Sequence, residues 1–298
     1  MTTTELARYH NGNCAVTLYS DGSKVREWPD GEDPQPEMPE SVDLKITDYC
    51  DAMCPHCSEG CRDEGADAPI ERIVAMLAGA QRGMEVAVGG GNPLEWMDTG
   101  DERPDLVLRV LSGMGLIPSV TVNARHAHMM ARENLSGWRE HGWLYGIGLS
   151  YAAGWMPSAR MLLTPSTVVH VIAGVDPPGA IQECCGLGFG KFLVLGCKVA
   201  GRQRTMPSLE AWRAALPEFF GLDITLSFDG LALEQLPVRE LVGEGAWRQV
   251  YMGQDGQFTM YLDAVADTFA ISSRHHRMPR FGRSLREMFA VVREEAAE

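Results

Sequence analysis

The sequence predicts an α/β protein: a partial (β/α)6 TIM-type barrel that carries an N-terminal β-hairpin and a C-terminal α+β cap. Short apolar strands alternate with amphipathic helices six times between residues 41 and 205, which is typical of parallel β/α units. Six units are too few for a full eight-unit barrel, and this pattern by itself fits a doubly wound sheet as well as an open, partial barrel. The Pro- and acid-rich segment PDGEDPQPEMPE ends near Glu40 and separates this alternation from what precedes it. After residue 205 the pattern changes to clustered strands. The predicted divisions are therefore 1–40, 41–205 and 206–298.

The individual elements follow from these patterns in order. The run AVTLYSDGSKVREW, residues 15–28, predicts two strands joined by an Asp-Gly turn. Six barrel strands are predicted, in chain order VDLKIT, MEVAVGGG, SVTVNA, LYGIGLSY, TVVHVIAGV and KFLVLGCKV. Helices are predicted at 70–81, 104–115, 128–142, 160–163 and 180–188. The tail is predicted to hold a helix at 208–220, the strand DITLSFDG, two strands around a Gln-Asp-Gly turn at 254–256, a third strand at 268–272 and the closing helix SLREMFAVVREEA.

Composition and charge argue against several classes of function. The chain is 45% hydrophobic and has no apolar run long enough for a membrane span, and MTTTELARYHNGN lacks the build of a secretory signal. A cytoplasmic protein without a membrane partner is therefore expected. Lysine and arginine total 26 against 40 acidic residues, a net charge of -14, which disfavours binding to duplex nucleic acid.

The spacing of the cysteines predicts a metal site. Cys50, Cys54 and Cys57 directly follow the first barrel strand, in the spacing Cys-x3-Cys-x2-Cys. Three thiolates from one loop can hold three irons of a [4Fe-4S] cluster and leave the fourth iron open to a small chelating molecule. Cys61 keeps an alternative open, because four cysteines within twelve residues suit zinc or a closed cluster in a non-enzymatic binding or sensor protein.

Residues 41–200 resemble the radical S-adenosylmethionine (radical SAM) superfamily. The resemblance rests on the three cysteines, on His56 before the third of them, and on a glycine-rich end of the second strand, Gly89-Gly90-Gly91-Asn92-Pro93. It implies that His56 lies near the adenine of S-adenosylmethionine and that the 89–93 backbone holds its amino group. Asn92 replaces the usual acid at that turn. The segments PESVDLKITDYCDAMCPHC, VGGGNPL, VHVIAGV, LGCKVAGR and LSFDGLALEQL are similar, more narrowly, to a small and often phage-associated group of unassigned reaction.

The resemblance also implies roles for later strand ends. Asn123, Ser150 and His170 are expected to contact the carboxylate and ribose of the cofactor, and the backbone at Leu195 is expected near the adenine. The implied reaction is reductive cleavage of S-adenosylmethionine to a 5'-deoxyadenosyl radical, which abstracts hydrogen from a peptide, nucleotide or small metabolite. An external one-electron donor such as flavodoxin or ferredoxin is implied as well. The candidate catalytic residues near the substrate are Cys197, Asp229, Tyr261 and Asp263, with Arg202 and Gln235 as further candidates.

Overall fold

A computed structural model describes residues 3–98, 101–102, 104–130 and 132–297 of the chain. Its strands form a small three-stranded sheet, a ten-stranded central sheet and a short two-stranded ribbon. The strands are β1 (Glu5–Asn11), β2 (Cys14–Tyr19), β3 (Lys24–Glu27), β4 (Ser41–Thr47), β5 (Glu85–Gly90), β6 (Met97–Asp98), β7 (Asp101–Glu102), β8 (Ile117–Asn123), β9 (Gly146–Ser150), β10 (Thr167–Ile172), β11 (Lys191–Leu195), β12 (Thr225–Phe228), β13 (Thr259–Asp263), β14 (Thr268–Ala270) and β15 (Met278–Pro279).

Helices connect the strands of the central sheet. They are α1 (Ile70–Met76), α2 (Pro104–Gly113), α3 (Arg132–Glu140), α4 (Met156–Ala159), α5 (Ala180–Gly186), α6 (Glu210–Phe219), α7 (Gly230–Gln235), α8 (Val238–Val250) and α9 (Leu285–Ala297). Three 3-10 helices cover Pro93–Glu95, Ala124–Met129 and Arg160–Leu162. Among the described residues, none of the helices has the length and apolar character needed to cross a membrane.

The central sheet is mostly parallel. Its strand order is β12-β11-β10-β9-β8-β5-β4-β13-β14-β15, and every neighbouring pair from β12 to β13 is parallel. The predicted α/β class with a large parallel sheet is therefore confirmed, and so are the six predicted barrel strands, which correspond to β4, β5, β8, β9, β10 and β11. No hydrogen bonding joins β12 to β13 within the described part of the chain, so the sheet is not a closed barrel.

The two faces of the central sheet differ in accessibility. Along β8, β10 and β11, fully buried residues alternate with residues that are only partly buried. The buried set packs against the helices in one continuous apolar core, which includes Val120, Leu149, Val169 and Trp212. The other set, contributed by seven strands, lines a cavity of about 720 Å³. The sheet therefore curves around a polar-lined space while its outer face builds the core.

The N-terminal hairpin is confirmed as β2 and β3, which pair antiparallel around the Asp21-Gly22 turn. β1 was not predicted from the sequence; it adds a third strand to this small sheet by pairing with β2. The helix predicted over 128–142 is shorter than expected, because a 3-10 helix ends at Met129 and α3 begins at Arg132; residue 131 lies outside the described residues.

The tail departs from the prediction in two ways. The strand predicted before the 254–256 turn is wrong, because that segment belongs to helix α8. Trp247 and Tyr251 stack at 4.7 Å, the i,i+4 spacing that supports a helix, although both are residue types common in strands. The other tail strands continue the central sheet at both edges, β12 beside β11 and β13 beside β4, and therefore do not form a separate layer over it.

Candidate functional site

The three cysteines lie on a loop that leaves the carboxyl end of β4 and is folded against itself. The amide of Cys50 donates to the carbonyl of Arg62 at 2.9 Å, and the amide of Arg62 donates to the carbonyl of Asp48 at 2.9 Å. Cys50 is buried, whereas Cys54 and Cys57 are half-buried. Burial raises the pKa of the thiols of Cys50 and Cys54. The backbone thus fixes a loop with three thiols at one edge of the sheet.

The distances between the cysteine sulfur atoms indicate whether these residues could share one metal ion. Four thiolates around one zinc ion, each about 2.3 Å from it, lie about 3.8 Å apart. No three of Cys50, Cys54, Cys57 and Cys61, all within the described residues, have their sulfurs within 4.8 Å of one another. In this arrangement the four thiols are not gathered around a single ion. Cys61 is buried, and its thiol is hydrogen-bonded to Cys57; that bond lowers the pKa of Cys57 to about 6 and raises the pKa of Cys61.

Two arginines hold the cysteine loop from its sides. Arg202 Nε donates to the carbonyl of Cys54 at 2.8 Å, its Nη1 donates to the carbonyl of Cys61 at 2.5 Å, and its amide donates to the carbonyl of Cys57 at 2.9 Å. Arg125 Nη1 donates to the carbonyl of Ala52 at 2.9 Å. Arg125 Nε and Arg202 Nη2 are buried without a hydrogen-bond partner among the residues that the structure describes. Positive charge with spare donors beside three thiols suits an anionic cluster.

The glycine-rich end of β5 is packed against the same loop. The amide of Gly91 donates to the carbonyl of Thr47 at 2.9 Å, and the amide of Asn92 donates to the carbonyl of Tyr49 at 2.7 Å. A Cβ on Gly91 would lie 1.9 Å from the Tyr49 oxygen, and one on Gly90, whose φ is +114°, would lie 2.4 Å from the Thr47 oxygen. These two glycines are therefore required by the approach of the cysteine loop itself. At Gly89 a Cβ would meet nothing closer than 3.8 Å.

Asn92 is fully buried and its side chain is already engaged. Its Oδ1 accepts a hydrogen bond from the amide of Leu94 at 3.3 Å, which caps the 3-10 helix that begins at Pro93. Its Nδ2 donates to Glu95 Oε2 at 2.9 Å. The turn thus has a carboxylate on Glu95. This residue lies three positions after Asn92, which stands where the radical SAM motif has an acidic residue. Glu95 was not predicted as a site residue, although its position in GGGNPLE is visible in the sequence.

The predicted strand-end residues form one row across the sheet. Asn123 pairs in register with Ser150, and Ser150 pairs with His170. Asn123 Oδ1 accepts from the amide of Arg125 at 3.0 Å, and its Nδ2 lies 3.8 Å from Cys54 Sγ. The structure therefore brings Asn123 to the cysteine loop. The ring of His170 instead lies over Gly148, inside the cavity.

A small cavity of about 60 Å³ joins the cysteine loop to the end of β11. Its lining includes His56, Leu195 and Cys197, three residues that the sequence analysis assigned to the cofactor or its surroundings. The backbone of Cys197 is held by Gln235, whose Oε1 accepts from the Cys197 amide at 2.9 Å and whose Nε2 donates to the Cys197 carbonyl at 3.0 Å. Burial raises the pKa of the Cys197 thiol.

The other candidate catalytic residues lie in structural hydrogen bonds. Asp229 Oδ1 caps α7 by accepting from the amide of Ala232 at 2.7 Å, and it also accepts from the amide of Gly196 at 2.9 Å. The hydroxyl of Tyr261 donates to Glu59 Oε2 at 3.0 Å. Asp263 accepts from the amides of residues 265 and 266. Each of these side chains is thus committed to holding the local chain.

Tyr261 and Asp263 belong to an ion-pair network that contacts the cysteine loop through Glu59. Lys45 Nζ lies 3.1 Å from Asp263 and 3.4 Å from Glu59, and Arg277 lies 3.1 Å from both of those carboxylates. Burial alone would lower the pKa of Lys45, but the neighbouring carboxylates together raise it. The network joins β4, β13 and the segment that contains Arg277 to the loop between Cys57 and Cys61.

No family model matches this sequence, and no curated protein matches it. The fold, however, is similar to that of solved structures. Streptococcus suis SuiB bound to its precursor peptide SuiA matches with a TM-score of 0.60 and 12% identity, over 87% of this chain and 67% of SuiB. SuiB bound to S-adenosylmethionine gives a TM-score of 0.59 at 13% identity, over 87% of this chain and 68% of SuiB.

A second protein shows the same similarity. A histidine-tagged form of anSMEcpe with bound AdoMet matches with a TM-score of 0.56 and 12% identity, over 86% of this chain and 77% of that one. SuiB and anSMEcpe are both radical SAM enzymes. The resemblance inferred from the cysteine and glycine motifs is thus confirmed for the fold: this chain has the fold of the radical SAM enzymes.

Proposed function

We propose that this chain is a radical SAM enzyme whose [4Fe-4S] cluster is held by Cys50, Cys54 and Cys57. The observation that carries the proposal is the convergence of these three thiols with the glycine-rich end of β5 and with Asn123 at one edge of the sheet. The same fold binds S-adenosylmethionine in SuiB and anSMEcpe. When bound, the cluster and S-adenosylmethionine supply a 5'-deoxyadenosyl radical for hydrogen abstraction.

The protein's own residues would bind and orient the two cofactors. The backbone carbonyls of residues 89–93 would face the cofactor's amino group, because the side chain of Asn92 is used in capping Pro93–Glu95. Asn123, Ser150 and His170 would face its carboxylate and ribose. His56 and the backbone at Leu195 border the small cavity proposed for the adenine. Arg125 and Arg202 would offset the negative charge of the cluster.

Cys197 is the strongest of the proposed catalytic residues. It lines the adenine-side cavity, and its thiol stays protonated at neutral pH because burial raises its pKa. A protonated thiol at this place can donate a hydrogen atom to a product radical. We propose that the other three candidates stabilise the segments around the site through their hydrogen bonds and ion pairs: Asp229, Tyr261 and Asp263.

The finer architecture and the cellular setting form part of the proposal. The curved sheet corresponds to a partial (β/α)6 barrel over 41–205, preceded by the 1–40 hairpin region and followed by 206–298. An external one-electron donor such as flavodoxin or ferredoxin would reduce the cluster in the cytoplasm. SuiB was solved with a precursor peptide, and a peptide, a nucleotide and a small metabolite all remain candidate substrates for this chain.

Anaerobic reconstitution tests the proposal. The wild-type chain should take up ~4 irons and, with dithionite, convert S-adenosylmethionine to 5'-deoxyadenosine. Replacing Cys50, Cys54 or Cys57 with alanine should abolish both, and iron binding without cofactor cleavage would refute the enzyme assignment.

Cys61→Ser is the matched control. It keeps a hydrogen-bonding group beside Cys57 and should leave the cluster intact. Loss of the metal in this variant, with zinc as the bound ion in the wild type, would support the non-enzymatic four-cysteine site instead.

A further inference from the structure

Cys61 is a cysteine of the loop that the proposed cluster does not use. The cluster takes Cys50, Cys54 and Cys57 as its ligands, and Cys61 follows four positions after the last of them. The side chain of Cys61 is buried, and its thiol is hydrogen-bonded to the thiol of Cys57. Two thiols in contact can form a covalent bond with each other, which an isolated buried cysteine cannot do.

The chain's own contacts hold Cys57 and Cys61 in this arrangement. The amide of Gly60, whose φ is +68°, donates to the carbonyl of Cys57 at 3.4 Å and closes a turn between the two cysteines. The amide of Arg202 donates to the Cys57 carbonyl at 2.9 Å, and its Nη1 donates to the Cys61 carbonyl at 2.5 Å. Gly201 packs so closely on the turn that a Cβ there would lie 2.4 Å from the Cys57 oxygen. The backbones of both cysteines are therefore fixed with their thiols in contact.

The other two cysteines of the loop have different neighbours. Cys54 Sγ lies 3.8 Å from Asn123 Nδ2. Cys50 Sγ lies within 4.8 Å of a carboxylate oxygen and an imidazole nitrogen. Among the described residues, no third cysteine has its sulfur within 4.8 Å of the sulfurs of both Cys57 and Cys61. The structure therefore favours one disulfide pairing in the loop, between Cys57 and Cys61.

The exposure of the two thiols sets the order in which they react. Cys57 is half-buried, whereas Cys61 is only 2% exposed. Hydrogen peroxide therefore reaches Cys57 first and oxidises its thiol to a sulfenic acid, while the O–O bond breaks and one water leaves. The Cys61 sulfur then attacks the Cys57 sulfur and gives up its proton, and the hydroxyl group leaves as a second water. The two thiols lose two electrons to the peroxide, and a disulfide forms.

We propose that Cys61 is a resolving cysteine, the thiol that converts an oxidised Cys57 into a reversible Cys57–Cys61 disulfide when no cluster is bound. In the disulfide, Cys57 cannot serve as a metal ligand, but it is protected from irreversible oxidation to a sulfinic acid. A dithiol reductant restores both thiols by exchange. The disulfide itself does not depend on the proposed function, whereas its value as protection of a cluster ligand rests on it.

Peptide mapping of the metal-free, full-length chain tests the pairing. Trypsin and a glutamate-specific protease together cut after Lys45, Glu59 and Arg62, which separates Cys57 from Cys61 in fragments 46–59 and 60–62. After treatment with hydrogen peroxide, mass spectrometry should find these fragments joined, and the denatured chain should have two fewer thiols. Dithiothreitol should separate the fragments and restore the thiols.

Variants identify the partner and the role of Cys61. Cys54→Ser should keep the fragments joined, and Cys57→Ser should leave them separate. Cys61→Ser should gain two oxygen atoms at Cys57, as a sulfinic acid that dithiothreitol does not reverse. The matched control is Cys185→Ser, which removes a half-buried thiol from α5 and should change nothing. Melting temperatures would verify that each variant is folded.

The outcomes separate this inference from the proposed function. Separate fragments in the oxidised wild type, a link that survives Cys57→Ser, or a Cys61→Ser chain without sulfinic acid at Cys57 would overturn the inference. A chain that cleaves S-adenosylmethionine but shows one of these results loses the inference alone. A chain that forms the disulfide but cleaves no cofactor keeps the inference and loses the enzymatic role. Formation of the disulfide while the cluster is still bound would count against Cys57 as its ligand.

Discussion

Gly91→Ala should release the cysteine loop without altering any cysteine. The new Cβ would lie 1.9 Å from the Tyr49 carbonyl oxygen and 3.2 Å from Cys50 Cβ. Carbon and oxygen atoms in such contacts normally stay about 3.3 Å apart, so the loop must move by about 1.4 Å. Metal ligands tolerate displacements of about 0.2 Å, and Cys50 directly follows Tyr49. We therefore expect the variant to lose most of its iron.

The same change should destabilise the protein. Two backbone hydrogen bonds cross this junction, from Gly91 to Thr47 and from Asn92 to Tyr49. Their loss should lower the free energy of unfolding by about 1–3 kcal/mol. Iron and sulfide content after anaerobic reconstitution and chemical denaturation measure the two effects. Gly89→Ala is the control, because its Cβ meets nothing closer than 3.8 Å. Wild-type iron content in Gly91→Ala, or equal losses in both variants, would refute the reasoning.

Three further predictions concern the surroundings of the site. Tyr261→Phe removes the donor to Glu59 and should lower the free energy of unfolding by about 1–3 kcal/mol in chemical denaturation; an unchanged value contradicts the role of the network. Arg202→Gln removes a positive charge beside the loop and should lower the midpoint potential of the cluster in an EPR-monitored redox titration, where an unchanged potential would argue against charge compensation. Burial raises the pKa of Asp176 to about 6. The folded protein is therefore more stable at low pH, where this carboxyl is protonated, and that stability is lost as the pH rises through about 6. Asp176→Asn should therefore be about 1–3 kcal/mol more stable than the wild type at pH 7.5 and equal to it at about pH 3, below the unfolded-state pKa of about 3.9, and equal stability at both pH values would contradict this.

The parts of the fold that were predicted from the sequence are those with a recognisable pattern of neighbouring residues. The strands β4, β5, β8, β9, β10 and β11 were found because each is a short apolar run bounded by a helix or a turn. The segment around Trp247 was assigned to a strand because its residue types favour strands, whereas the stacking of Trp247 on Tyr251 is visible only in the folded helix. The position of β13 beside β4 could not be read from the sequence, since it joins residues more than 200 positions apart.

In the candidate site, too, the features with a local sequence pattern were predicted and the long-range contacts were not. The cysteine spacing and the glycine run identified the loop and the strand end that approaches it. Arg125 gave no signal, because a single arginine after a strand has many uses. Tyr261 and Asp263 were named as candidate catalytic residues, but their partners Lys45 and Arg277 come from distant segments. Long-range ion pairs leave no periodicity or motif in a single sequence.

The contacts of Glu59 have a consequence for how the protein is made. Glu59 lies between two cysteines of the loop, yet its partners Tyr261 and Arg277 follow about 200 residues later in the chain. At a synthesis rate of about 5–20 residues per second, the ribosome needs about 10–40 s to reach them. During that interval the cysteines are present without two of the residues that hold their loop. Metal loading is therefore expected to follow completion of the chain, and cells that produce the protein rapidly under limiting iron should accumulate a form with reactive thiols.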